Sequence, residues 1–127
     1  MYELIDKEKF IVAYLRSDGS TWDVGGDKDL NFVDKSIDEM YTRYKINKSR
    51  CYWSGFSMGS MLIYHALSKP NMVKKFAAFA PTSGFLFHQN PAPFLEQKIN
   101  LIHHQSTSDT VFPLEGSPLY DYLGQIA

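Results

Sequence analysis

One cysteine, Cys51, stands in the 127 residues, so no disulfide can close within the chain. It lies in the apolar stretch Cys51, Tyr52, Trp53, which suits a small buried hydrophobe. Basic clusters are also missing. The 13 Lys and Arg and 14 Asp and Glu are dispersed and leave a formal charge of −1, which argues against a nucleic-acid footprint. No apolar run approaches the roughly 20 residues of a membrane-spanning helix. Residues 1–10 are too polar for a signal peptide, so this start, taken literally, points to the cytosol. There is no internal repeat or low-complexity segment. A hydrophobic content of 44% is enough for a core, and the length fits a single domain over 1–127.

What is present is organised around Arg50 to Ala66, RCYWSGFSMGSMLIYHA, which reads as a short strand, a tight turn and a helix. Gly55, Ser57 and Gly59 make the pattern Gly-x-Ser-x-Gly, in which a serine at a strained strand-to-helix corner presents its hydroxyl above the sheet edge. The pattern predicts that a side chain at either glycine would press on the neighbouring strand and helix. The following helix would aim its N-terminus at the site, with the Met58 N–H placed where an oxyanion forms after Ser57 attacks an ester carbonyl.

Along the rest of the chain, Met1 to Lys9 reads as a helix tail and Phe10 to Leu15 (FIVAYL) as a strand buried on both faces. Arg16 to Gly26 is a Gly/Ser/Asp-rich loop carrying Trp22, which either tucks against the scaffold or lines a substrate cleft. Leu30, Val33, Ile37, Met40, Tyr41 and Tyr44 recur at helical spacing from Lys28 to Tyr44, with Asp27 or Asp29 available as cap. Asp38, Glu39 and Arg43 fall on the wet side of that helix. Pro70 stops the next helix near Ser68. Lys75 to Ala80 is a further strand, Pro81 to Gly84 a turn, and Ile99 to His104 a last strand before a loop with Asp109. Alternating strands and helices predict an α/β fold with a mostly parallel sheet flanked by helices.

These pieces resemble the polyhydroxybutyrate depolymerase and feruloyl esterase group of α/β-hydrolases, carbohydrate esterase family 1. The match runs through FIVAYL, STWDVGG, DLNFVDKSIDEM, INKSRCYWSGFSMGSM, FAAFAPTSG and SDTVFP. The resemblance implies a serine esterase acting on feruloyl or acetyl groups of plant polysaccharide, or on polyester, in a secreted protein without metal or organic cofactor. It implies Ser57 as nucleophile, Met58 as the oxyanion residue and Asp109 as the acid. Two local departures stand out: Gln105, Ser106 and Thr107 replace a His-Gly-Thr run, and Ser60 replaces a glycine.

The larger departures concern what the family pattern has and this chain lacks: the resemblance implies that residues 1–127 are a single, incomplete α/β-hydrolase domain, truncated at both ends. The strand expected between FIVAYL and the elbow strand is missing, so either those two pair directly or exposed edges invite self-association. No histidine follows Asp109. His65 lies eight residues past Ser57 on the helix, about 12 Å along its axis, and cannot reach the hydroxyl. His103 and His104 point to opposite faces of a strand, which excludes a shared metal. Only His88 has a path to the nucleophile. A non-catalytic remnant of such a hydrolase is therefore the competing expectation.

Overall fold

A strand needs a partner for its backbone groups, and partners decide which expected strands form. In the computed structural model, which describes residues 2–86 and 98–115, β1 (Tyr52–Phe56) pairs in parallel with β2 (Ala78–Thr82). The register sets Tyr52 opposite Ala78 and Phe56 opposite Thr82. On the far side of β2, the expected last strand contributes two isolated parallel bridges, Phe79 with Leu101 and Thr82 with His104. The small parallel sheet with its helices is compatible with part of an α/β fold.

The FIVAYL segment forms no strand. Among the described residues the sheet has only β1 and β2, FIVAYL does not add to the open edge of β1, and Phe10, Ile11 and Tyr14 are 40%, 52% and 69% exposed. Direct pairing of FIVAYL with the elbow strand therefore does not occur. The next strand also starts later than its composition suggests: β2 begins at Ala78 and runs through Pro81 into Thr82.

Helices α1 (Tyr2–Glu8), α2 (Lys28–Arg43), α3 (Met58–Ala66) and α4 (Pro70–Val73) follow the apolar spacing and Pro70. α3 is apolar nearly all round and is buried on two sides, the usual fate of such a helix. Leu62 and Ala66 pack with Leu30 and Val33 of α2 and with Met72; Ile63 and Leu67 pack with Val73 and Phe79. Trp53, Phe76 and Phe79 form an aromatic trio on the sheet, with ring centroids 5.1 to 6.4 Å apart.

The cap of α2 differs from expectation. Asp27 occupies the N-cap position but makes no side-chain cap bond. Asp23 does that work, accepting from Lys28 N–H at 3.3 Å and Gly26 N–H at 2.8 Å. Asp29 is buried and instead holds the preceding loop, accepting from Asp23 N–H at 2.7 Å. Asp38 is also more than a solvated charge, since Lys75 Nζ bridges it and Asp34 at 2.8 and 2.6 Å, tying α2 to the approach to β2. Cys51 is half-buried, and burial pushes its thiol up, away from reactivity. Among the described residues no helix is long and apolar enough to cross a membrane.

Candidate active site

Ser57 links β1 directly to α3 with φ 54° and ψ −118°, a left-handed backbone that a serine adopts only under constraint. Its N–H donates to Thr82 O at 2.9 Å, so the end of β2 fixes the turn. Glycines make the turn possible in an unequal way. A Cβ at Gly55 would stand 2.4 Å from Gly59 O, and one at Gly84 2.5 Å from Ser57 O. A Cβ at Gly59 would meet nothing within 4 Å, which corrects the expectation that both motif glycines avoid a clash. Gly59 contributes by bringing its carbonyl close to Gly55.

Ser60, one of the two local departures from the resembled pattern, is fully buried and donates from Oγ to Gly84 O at 3.1 Å. Its hydroxyl is thereby satisfied, and residue 84 is a glycine where Ser60 Cβ leaves no room for another Cβ. The Gly84 contact was not visible in the sequence, because it joins residues 24 apart.

Phe56, Thr82 and His104 lie abreast across the sheet, so the residues following them, Ser57, Ser83 and Gln105, emerge at one edge. That edge also receives the loop of Asp109. The Asp109 carboxylate accepts at Oδ1 from Val111 N–H (2.9 Å) and Phe112 N–H (2.8 Å), and at Oδ2 from Gln105 Nε2 (3.1 Å). The Phe112 N–H, then Val111, Gln105 and the Ser83 side chain, hold its pKa below the ordinary aspartate value. The acid is therefore ionised and firmly held.

Met58 is the first residue of α3, where a helix leaves N–H groups without an intrahelical acceptor. The Ser57 side chain makes no cap bond to α3. His65 is buried with Nε2 3.0 Å from Gly26 O, as a packing residue and not a base. His103 turns toward α3, with Nδ1 2.8 Å from the Tyr64 hydroxyl, while His104 is exposed. His88 lies outside the described residues. Trp22 packs half-buried against the cluster of Leu30, Val33, Leu62, Ala66 and Met72 and borders an open cleft of about 430 Å³ with Asp18, Thr21 and Lys28, whose lining does not include Ser57.

A strained serine turn and an ionised carboxylate thus stand at one edge of the sheet. The sequence itself is similar to a carbohydrate esterase. It is 42% identical over 111 residues to the bifunctional acetylxylan esterase/xylanase XynS20E of Neocallimastix patriciarum, an alignment covering 85% of this chain and 16% of that protein. The chain thus spans a small part of its relative's length. No family model matches, and no solved structure matches.

Proposed function

We propose that this chain is the core of a serine esterase that removes acyl groups, acetyl or feruloyl, from a polysaccharide. The observation that carries the reading is the backbone at Ser57, strained at the head of α3 and pinned to Thr82. Ser57 Oγ attacks the ester carbonyl, its proton passes to a histidine base, and the Met58 N–H takes the oxyanion. The bond to the alcohol breaks as that base protonates the leaving oxygen. Water then attacks the acyl-enzyme through the same base and releases the carboxylic acid. Asp109 orients the base, which no described residue supplies. The acetylxylan esterase relative supports a polysaccharide ester over a polyester, and the resemblance supports secretion.

Trp22 is proposed as a sugar contact in its cleft, set off from the reacting atoms. Self-association is proposed through β1, whose outer edge is unpaired among the described residues and carries exposed Tyr52 and Phe56. The first experiment compares hydrolysis of an aryl acetate, methyl ferulate and acetylated xylan by the chain and by Ser57→Ala. Turnover that vanishes in Ser57→Ala is the expected result. A folded chain without turnover would favour the remnant reading, whose support is that His65 and His103 are both taken up in contacts of their own.

A further inference from the structure

Gln105 occupies a position where the resembled pattern has another residue, and its side chain makes three hydrogen bonds. Its carboxamide nitrogen lies 3.1 Å from Asp109 Oδ2 and 2.6 Å from Phe112 O. Both partners can only accept, so that nitrogen must be the NH2 and the amide orientation follows. The other end, Gln105 Oε1, can only accept, and it faces His103 Nε2 at 3.3 Å. In neutral His103 the proton therefore sits on Nε2. Nδ1 is left as an acceptor, and the Tyr64 hydroxyl, 2.8 Å away, must donate to it. Burial raises the Tyr64 pKa, which keeps that hydroxyl protonated.

We infer that Gln105 is the positioning residue of the acid, the last link of a one-way donor chain that runs from Tyr64 through His103 and Gln105 to Asp109. The physical argument is one of registration. Ser57 opens α3 and Tyr64 lies on the same helix, so the chain ties the acid loop to the element that carries the nucleophile. The backbone donors Val111 and Phe112 belong to the acid loop itself and would travel with it. Gln105 also occupies Oδ2, the oxygen not taken by those local donors, and so sets which direction the carboxylate presents to a base. Chains of hydrogen bonds of one polarity strengthen each member.

This inference rests on the reading of Asp109 as the acid, so its test needs a readout that does not depend on turnover. The Asp109 carboxyl is titrated by carbon NMR in the wild type, Gln105→Leu and Tyr64→Phe. Loss of the Gln105 donor should raise the Asp109 pKa toward the ordinary aspartate value, and Tyr64→Phe should raise it less, in the same direction. A titration in Gln105→Leu that coincides with the wild type overturns the proposal. If Gln105→Leu fails to fold, Tyr64→Phe decides: an unmoved Asp109 overturns it. On aryl acetate, Gln105→Leu should lower kcat of order tenfold with KM unchanged, short of the hundredfold that an ångström of misplacement costs. Undiminished kcat with the carboxyl shifted would also overturn it. Absence of turnover in the wild type would count against the esterase reading, while the titration still decides whether Gln105 orients Asp109.

Discussion

The two faces of the small sheet are built from the same two strands and have opposite fates. On one face Trp53, Gly55 and Phe79 meet α3, and Phe79 is buried. On the other, Tyr52 and Phe56 are 62% and 70% exposed, and Ile102 is 59% exposed. Parallel strands are ordinarily covered on both faces. The contrast teaches that, among the described residues, the corner at Ser57 is stabilised from one side, by the helix that Ser57 opens. Stability and site therefore share residues on the covered face, and the bare face is free to meet something else.

The largest way to break this contrast is Gly55→Val. Its Cβ would collide with the Gly59 backbone, which cannot swing away as a side chain could, so a loss of about 3 kcal/mol is expected in urea unfolding. Leu62→Ala, also on α3, should cost about 3 kcal/mol by leaving a cavity between α2 and α3. Phe56→Ser, by contrast, should change stability by less than about 0.5 kcal/mol and weaken the proposed self-association, checked by sedimentation across a concentration series. Equal costs for Leu62→Ala and Phe56→Ser would mean that the bare face is covered in solution.

A smaller effect concerns acid. Asp109 has a folded pKa below its ordinary value of 3.8, so the stability it contributes is present in full above that pH and is lost as pH falls through the lower folded value. Asp109→Asn should therefore unfold more easily than the wild type at neutral pH, and the gap should close below pH 3.8. A gap that persists unchanged at lower pH would mean the substitution acts through packing.

Much of α2 and α3 was legible in the sequence because helical hydrogen bonds are local and apolar spacing reports which side is buried. The elbow was legible for the same reason, since strand, turn and helix are adjacent in the chain. FIVAYL was misread because apolar composition reports a preference for burial and not whether a sheet edge comes alongside; the segment stays off the sheet although β1 keeps an unpaired edge among the described residues. Ile99 to His104 lies beside β2 yet makes only two bridges. The role of Gln105 was hidden as a departure from a pattern, and only the positions of His103 and Tyr64 reveal what it holds.

The sequence by itself determined the serine corner, the two long helices and the acid loop, all features whose decisive interactions span a few residues. Only the tertiary structure decided which strands pair, why Ser60 and Gly84 fit together, and how Asp109 is linked through Gln105 and His103 to the helix that Ser57 opens. Those outcomes depend on contacts between distant residues, Ser60 with Gly84 and Tyr64 with His103, whose pairing no local pattern encodes.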